Sequence, residues 1–133
     1  MKSILIVEDE AIVRMHAAEI VEEAGFRPIQ AEDANKALQI FETNNEIYCV
    51  FTDINMPGPM NGIELAVLLK SLRPEIPVLI TSGVGAQNRP AMPKDVFFIQ
   101  KPYQSNELKM VLLMLLKKGA TDVLKSAGIE KSS

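Results

Sequence analysis

Short apolar runs alternate along the chain with longer stretches that have helical spacing. Five runs contain Ile, Val or Phe and are bounded by turn-forming or charged residues, namely residues 3–7, 27–31, 48–52, 78–81 and 96–100. This pattern predicts five β-strands. The runs at 4–7, 50–51 and 78–80 are continuously apolar. Because a strand needs such a run when helices cover both of its faces, the pattern favours a parallel sheet between two helical layers.

Four further stretches have apolar residues three or four positions apart, which is typical of amphipathic helices. We expect Gly25 to end the first helix, Asp33 to cap the second, and the third to follow Gly62. The last helix is predicted over about residues 105–118. The predicted inward faces are Val13, Ala17, Ile20, Val21 and Ala24; Ala34, Ala37, Leu38 and Phe41; Leu65, Ala66, Leu69 and Leu72; and Leu108, Val111, Leu112 and Leu115.

The order of these elements predicts a doubly wound α/β fold, in which helices cover both faces of a parallel sheet. The alternation is interrupted at residues 84–95, where Gly85, Pro90 and Pro93 leave too little uninterrupted sequence for a normal helix. We therefore expect a fourth helix that is short or irregular. Residues 119–133 are too few for a further domain, so the prediction is one domain over residues 1–118 followed by a tail.

Composition narrows the class of protein. The chain has 133 residues, of which 47% are hydrophobic and 23% charged, as expected for one globular domain. The net charge of -3 and the scattered Lys and Arg argue against direct nucleic-acid binding. The longest apolar run, 110–116, is too short to span a membrane, and the run at 4–7 ends in three acids instead of a signal-peptide cleavage site. With a single cysteine, Cys49, which we expect in the core, the prediction is a cytoplasmic protein.

Reactive residue types follow the ends of the predicted strands, where ligands bind in an open α/β sheet. The first strand is followed by Glu8, Asp9 and Glu10, the third by Asp53 and Asn55, the fourth by Ser82, and the fifth by Lys101. Carboxylates that converge from two strands repel one another unless a cation lies between them, and oxygen ligands select Mg²⁺ or a similar ion. A lysine and a hydroxyl beside that ion suit a phosphoryl group, and an aspartate there can act as a nucleophile to give an aspartyl phosphate.

Four segments resemble the signature segments of bacterial response-regulator receiver domains, the CheY-like family. They are residues 7–10 (VEDE), 52–57 (TDINMP) with Gly62 shortly after, 80–83 (ITSG) and 100–103 (QKPY). Each follows or ends a predicted strand, and the resemblance covers about residues 3–118. It implies a stand-alone receiver of a two-component system, with a flavodoxin-like, five-stranded parallel sheet in the order 2-1-3-4-5.

The resemblance implies which residues handle the phosphoryl group. Asp53 matches the phosphoacceptor, and Lys101 matches the lysine that pairs with the phosphoryl oxygens. Ser82 matches the family's hydroxyl residue, with Thr81 as the alternative if the register differs by one position. Phe98 matches a switching aromatic residue that responds together with Ser82. The phosphoryl group is expected to reach Asp53 from a phosphohistidine.

The resemblance also implies a magnesium site. The carboxylates of Asp9 and Asp53 match direct ligands of Mg²⁺, and Asn55 matches the residue that offers its backbone carbonyl. Glu8 matches an acid that acts through a metal-bound water. Beside this site, the peptide bond before Pro102 is expected to be cis.

The implied partners are a sensor histidine kinase or a histidine phosphotransfer protein, and an unknown output protein. Such a receiver is not an enzyme, since it catalyses only its own phosphorylation and dephosphorylation. One alternative is a non-phosphorylated interaction module of the same fold, although every expected pocket residue is present. Another is an aspartate-nucleophile phosphatase, which needs a second acid where this chain has Asn55. A flavin or nucleotide binder fits the fold, but the acids after the first strand would repel a phosphate.

Two further residues carry expectations. The helical pattern places His16, the single histidine, on the first helix away from the strand ends, which argues against a phosphohistidine role there. Val84, two residues after Ser82, has no polar group to orient a hydrolytic water. We therefore expect slow self-dephosphorylation of the phosphorylated chain.

Overall fold

The computed structural model describes residues 2–83 and 92–116. Within these residues the elements are β1 (Ser3–Val7), α1 (Ala11–Glu23), β2 (Arg27–Ala31), α2 (Ala34–Thr43), β3 (Ile47–Asp53), α3 (Gly62–Leu72), β4 (Val78–Ser82), β5 (Phe97–Gln100) and α4 (Ser105–Leu115). The five predicted strands are confirmed, with ends shifted by no more than one residue. Val84, most of the predicted irregular segment 84–95 and the tail 119–133 lie outside the described residues.

The five strands form one parallel sheet in the order β2-β1-β3-β4-β5, which confirms the predicted flavodoxin-like, doubly wound arrangement. The chain runs outward from β1 in one direction and, after crossing to β3, in the other. A crevice forms at such a switch point, outside the carboxyl ends of the neighbouring strands. The topology therefore directs attention to the residues that follow β1 and β3.

Helices cover both faces of the sheet. Ile4 and Ile6 of β1 pack in a cluster with residues of α1 and α4, and Leu5 and Val7 pack in a second cluster with residues of α2 and α3. Successive side chains of a strand point to opposite faces, so a strand covered on both sides has no exposed position. This explains the continuously apolar run. The predicted core position of Cys49 is confirmed, since the residue is fully buried in the α1/α4 cluster.

The ends of the helices follow the expected capping chemistry. Gly25 has a φ of 94°, and its N–H donates to the carbonyl of Glu22 at 3.0 Å, while the Phe26 N–H donates to the carbonyl of Val21 at 3.1 Å. This pair of bonds is a Schellman motif, which favours glycine at the left-handed position. The carboxylate of Asp33 accepts from the Lys36 N–H at 2.8 Å and caps α2. Among the described helices, none has the length and apolar character needed to cross a membrane.

One predicted core position is wrong. Leu72 is 50% exposed, although its spacing continues the apolar face of α3. The helix ends at Leu72, and the next residue, Arg73, places its guanidinium 4.2 Å from the centre of the Phe41 ring. Arg73 therefore covers Phe41 beside the end of α3, while Leu72 stays exposed.

Candidate functional site

The carboxyl ends of four strands bring the predicted polar residues to one edge of the sheet. Glu8 follows β1, Asp53 is the last residue of β3, Ser82 is the last residue of β4, and Lys101 follows β5. A backbone hydrogen bond joins β5 to β4 at this edge, because the Lys101 N–H donates to the carbonyl of Ser82 at 2.9 Å. The fold thus gathers side chains that are as much as 93 positions apart in sequence.

Acidic side chains form the centre of the site. Glu8, Asp9 and Asp53 each offer a carboxylate oxygen, and these oxygens lie within 4.8 Å of one another. Glu8 and Asp53 are buried, with 5% and 8% of their surface exposed, whereas Asp9 is exposed. Partial burial and the neighbouring Glu8 carboxylate raise the pKa of Asp9 above its ordinary value. The cluster is therefore electrostatically costly unless cations approach it.

Lys101 supplies one such cation. Its Nζ lies 2.9 Å from Oε1 of Glu8 and 3.2 Å from Oδ2 of Asp53. Burial alone would lower the pKa of Lys101, but the hydrogen bonds and negative charges of Glu8 and Asp53 outweigh it and raise the pKa. The ammonium is therefore firmly charged at neutral pH. The expected cis bond is confirmed between Lys101 and Pro102, directly after this contact.

Two buried oxygen atoms at the site have no hydrogen-bond partner among the described residues. They are Oδ1 of Asp53 and Oγ1 of Thr81. Buried polar atoms in proteins nearly always have a hydrogen-bond partner. Two neighbouring buried oxygens that lack one therefore indicate a site at which a further group binds. Asp53 and Thr81 are register partners on β3 and β4, and both line a small cavity together with Glu8 and Tyr103.

Side-chain alternation along β4 places Thr81 and Ser82 on opposite faces of the sheet. Leu79 of β4 packs in the α1/α4 cluster and Ile80 in the α2/α3 cluster, so by alternation Thr81 faces α1 and α4 whereas Ser82 faces the other side. Asp53 shares the α1/α4 face with Thr81. The role of Ser82 stays a prediction, and the geometry favours the alternative residue, Thr81.

Two other predicted residues lie on the segments that carry Asp53 and Lys101, one in the loop after β3 and one within β5. Asn55 is exposed in the loop after β3, two residues beyond Asp53. Phe98 lies within β5, opposite Ile80 in the register, and is half-buried against the α2/α3 cluster. Their roles as a carbonyl ligand and a switching residue stay predictions.

Gly62 closes the loop that follows Asp53. Its N–H donates to the carbonyl of Ile54 at 2.9 Å, and a Cβ at this position would overlap the backbone carbonyl of Asp53. A residue with any side chain would therefore displace the backbone that carries the Asp53 carboxylate. The sequence pattern contained this glycine, but the reason for it is visible only in the close approach of α3 to β3.

An apolar groove of about 560 Å³ opens beside Lys101. Its walls include Ile12, Val13 and His16 of α1, together with Tyr103 after β5. Ile12 is 83% exposed, which is unusual for a large apolar side chain next to a charged cluster. His16 is exposed on α1 and also lines this groove, in which Lys101 and Pro102 follow the end of β5. The prediction that His16 has no phosphohistidine role stays a prediction.

The donor set fits a hard divalent cation. Carboxylate oxygens converge at the cluster, and Oδ1 of Asp53 is buried there with no partner among the described residues. Mg²⁺ takes few protein ligands, prefers carboxylate oxygen and keeps several waters, so the exposed side of Asp9 suits it. Lys101 can hold an anion at the same place, and an unpaired carboxylate oxygen beside it can attack an electrophile.

Comparison with known families and proteins gives a consistent result. The family model described as the response regulator receiver domain matches residues 4–113. An NtrX-like response regulator of Rickettsia bellii is 31% identical over 97% of this chain, and the sensor kinase CckA of Brucella abortus is 31% identical over 87% of it. The phosphate regulon transcriptional regulatory protein PhoB of Pseudomonas aeruginosa is 31% identical over 88% of this chain. The chain spans 28%, 13% and 52% of the length of these relatives.

Solved structures share the same fold. The response regulator TrrA of Thermotoga maritima, in complex with Mg²⁺ and BeF, superposes with a TM-score of 0.76 at 29% identity, covering 87% of this chain and 100% of that chain. A response regulator receiver protein of Sinorhizobium medicae superposes with a TM-score of 0.76 at 27% identity, covering 86% of this chain and 94% of that chain.

Proposed function

Because the chain belongs to the response regulator receiver domain family of two-component systems, we propose that it accepts a phosphoryl group on Asp53 from a phosphohistidine. The observation that carries this proposal is the state of the Asp53 carboxylate. Lys101 holds Oδ2 at 3.2 Å, while Oδ1 is buried without a hydrogen-bond partner among the described residues. A carboxylate that is oriented through one oxygen and unpaired at the other is prepared for nucleophilic attack.

The proposed step balances without a further reactant. An oxygen of Asp53 donates an electron pair to phosphorus and forms a P–O bond, while the P–N bond to the donor imidazole breaks in line. The second ring nitrogen of the phosphohistidine carries a proton before transfer, so the imidazole keeps the electron pair of the broken bond and leaves as neutral imidazole. Lys101 then faces the phosphoryl oxygens, since its ammonium already lies between Glu8 and Asp53.

The carboxylates of Asp9 and Asp53 and the carbonyl of Asn55 would hold Mg²⁺, with Glu8 acting through water. When bound, the cation offsets the negative charge of the carboxylates and of the incoming phosphoryl group. The Thermotoga maritima TrrA structure, a complex with Mg²⁺ and BeF, supports this assignment, because that protein is 29% identical and has the same fold.

We assign the hydroxyl that contacts the phosphoryl group to Thr81 in preference to Ser82. Thr81 faces the same side of the sheet as Asp53, and its Oγ1 is buried without a partner among the described residues. A hydrogen bond to a phosphoryl oxygen would satisfy that hydroxyl. Phe98 of the neighbouring strand β5 stays the candidate switch, and it packs on the α2/α3 side of the sheet, which is the side that Ser82 faces, so a movement of Ser82 would be felt there.

Phosphoryl transfer needs a protein partner at this edge of the sheet. We propose a sensor histidine kinase or a histidine phosphotransfer protein, which docks over the apolar groove beside Lys101. The relatives include the sensor kinase CckA, which supports a phosphohistidine donor.

We place the exchange in the cytoplasm and assign the receiver domain to residues 1–118. The output would be a contact with a further protein, without direct nucleic-acid binding and without turnover of a separate substrate.

Intact-mass spectrometry after incubation with acetyl phosphate and Mg²⁺ tests the proposal. The native chain is expected to gain one phosphoryl group, and chelation of Mg²⁺ is expected to prevent the gain. Asp53→Asn removes the nucleophilic carboxylate and is expected to abolish the adduct. Asp33→Asn is the matched control, because it makes the same change at a helix cap that asparagine also serves, and it should be phosphorylated like the native chain.

The outcomes separate the alternatives. Absence of an adduct on a folded native chain would favour the non-phosphorylated interaction module. Release of many equivalents of inorganic phosphate per chain from a phosphate monoester, in a separate incubation, would favour the phosphatase. An adduct of undiminished amount on Asp53→Asn would show that another residue is the acceptor.

A further inference from the structure

Arg14 connects the acidic cluster to the edge strand of the sheet. It lies on α1, and its Nη1 donates to the backbone carbonyl of Glu8 at 2.9 Å. Its Nε donates to Oε1 of Gln30 at 3.2 Å, and Gln30 lies on β2, the strand at the edge next to β1. One planar guanidinium thus binds two elements at once, which its fixed arrangement of donors allows and a lysine ammonium on a flexible stem does not reproduce.

The contact completes a set of restraints on Glu8. The Glu8 N–H donates to the carbonyl of Ala31 at 3.1 Å, Oε1 accepts from Lys101 at 2.9 Å, and Oε2 accepts from the Glu10 N–H at 3.1 Å. The remaining polar group of Glu8 is its carbonyl, which Arg14 holds. This carbonyl belongs to the peptide plane that leads into Asp9. A fixed plane at this point sets the direction in which the Asp9 side chain leaves the backbone.

We propose that Arg14, oriented by Gln30, is a positioning residue that fixes the Glu8–Asp9 peptide and so prepares Asp9 to bind a divalent cation together with Asp53. This inference rests on the magnesium site of the proposed function and extends it to residues that bind no ligand themselves. Residues that orient metal ligands commonly affect metal affinity by about 10- to 100-fold when they are replaced.

The charge of Arg14 makes the proposal distinguishable from a simple electrostatic effect. A guanidinium near the acidic cluster repels a second cation, so its removal should strengthen Mg²⁺ binding if charge alone matters. A positioning role predicts the opposite, since the Asp9 ligand would lose its defined direction. The sign of the change in Mg²⁺ affinity therefore separates the two effects.

The test is isothermal titration calorimetry, in which the full chain is titrated with Mg²⁺ in the absence of a phosphodonor. Arg14→Met is expected to weaken Mg²⁺ binding by about tenfold. Gln30→Ala changes no charge, lies at an exposed position and is expected to weaken binding by a smaller factor. Arg14→Lys keeps the charge and one donor and is expected to restore part of the affinity. Arg27→Met, the matched loss of an exposed arginine on β2, should bind Mg²⁺ like the native chain.

A double variant tests the link between the two side chains. If Gln30 acts through Arg14, the combined Arg14→Met and Gln30→Ala chain should bind Mg²⁺ no more weakly than Arg14→Met. Fully additive losses would contradict the proposed orientation by Gln30. Unchanged or tighter binding by Arg14→Met, in a chain whose circular dichroism remains native, would overturn the positioning role alone. Failure of the native chain to bind Mg²⁺ would overturn the proposed function as well.

Discussion

At the scale of single residues, Gly62 shows how closely backbone packing constrains the site. A Cβ at Gly62 would overlap the carbonyl of Asp53, whereas a Cβ at Gly83 would meet no atom of the described residues within 4 Å. We expect Gly62→Ala to lower the free energy of unfolding by about 2–3 kcal/mol, because the backbone that carries Asp53 must shift. Urea denaturation measures the loss, and phosphorylation by acetyl phosphate should fall with it.

Gly83→Ala is the matched control for this change. It adds the same methyl group at a place where no described residue lies within 4 Å, and it is expected to alter the free energy of unfolding by no more than about 0.5 kcal/mol. Equal stability losses for the two variants would contradict the close approach of α3 to β3.

Cys49 is the residue for which burial has the clearest effect on reactivity. Desolvation raises the pKa of its thiol from 9.0 to about 12. Thiolate is the reactive form, so at pH 8 the native chain should react with a thiol reagent such as DTNB far more slowly than the urea-unfolded chain. The same shift lowers stability from about pH 9 upwards, because the unfolded thiol ionises first. Rapid native modification, independent of urea, would contradict the buried position.

At the scale of elements, Arg73 joins the ends of three of them. It follows α3, and its guanidinium donates to the carbonyls of Phe41 and Asn44 at the end of α2 and of Ile47 at the start of β3, at 3.1, 2.8 and 3.2 Å. The last carbonyls of a helix have no partner within the helix, so Arg73 satisfies groups that would otherwise need water.

We expect Arg73→Met to lower the free energy of unfolding by about 1.5–3 kcal/mol, the range for hydrogen bonds to a charged group. Arg27→Met removes an exposed arginine and should change it by no more than about 0.5 kcal/mol. Chemical denaturation of both variants gives the comparison. A loss confined to Arg27→Met, or absent from both, would contradict the bridging role of Arg73.

The elements also show what the sequence could and could not predict. Apolar runs and capping residues are local signals, so the strands and the caps at Gly25 and Asp33 were predictable from neighbours along the chain. The choice between Thr81 and Ser82 depends on the register of β4 against β3, which is a contact between distant segments. The exposure of Leu72 and the place of His16 also depend on neighbours that periodicity does not contain.

The register leads to a test of the two hydroxyls. Thr81→Val keeps the shape of the side chain and removes a buried hydroxyl without a partner among the described residues. We expect the unphosphorylated variant to be as stable as the native chain or about 1 kcal/mol more stable. Its phosphorylation by acetyl phosphate should be slower, because one donor to the phosphoryl oxygens is lost.

Ser82→Ala is the matched control, since its hydroxyl faces the opposite side of the sheet by strand alternation. It should be phosphorylated at the native rate in the same intact-mass time course. A slow Ser82→Ala chain beside a normal Thr81→Val chain would support the sequence-based assignment of Ser82.

At the scale of the whole molecule, the small net charge of -3 conceals an uneven distribution. Carboxylates of Glu8, Asp9 and Asp53 meet within 4.8 Å at one edge of the sheet, and Lys101 bonds to two of them. Folding therefore concentrates negative charge that the unfolded chain keeps apart. A cation that binds this edge lowers the free energy of the folded state alone and must raise the stability of the entire domain.

We expect Mg²⁺ at 100 times its dissociation constant to raise the free energy of unfolding by about 2.7 kcal/mol, measured by urea denaturation with and without the ion. Asp53→Asn should lose most of this increment, and without Mg²⁺ it should be more stable than the native chain because one repelling charge is gone. Asp33→Asn removes the same charge at the start of α2 and should keep the full increment. An undiminished increment in Asp53→Asn would mean that the cation binds elsewhere. The higher free energy of unfolding of Asp53→Asn without Mg²⁺ would then report only the repulsion between the carboxylates. The two measurements therefore separate this repulsion in the folded chain from the binding of a cation at the same carboxylates.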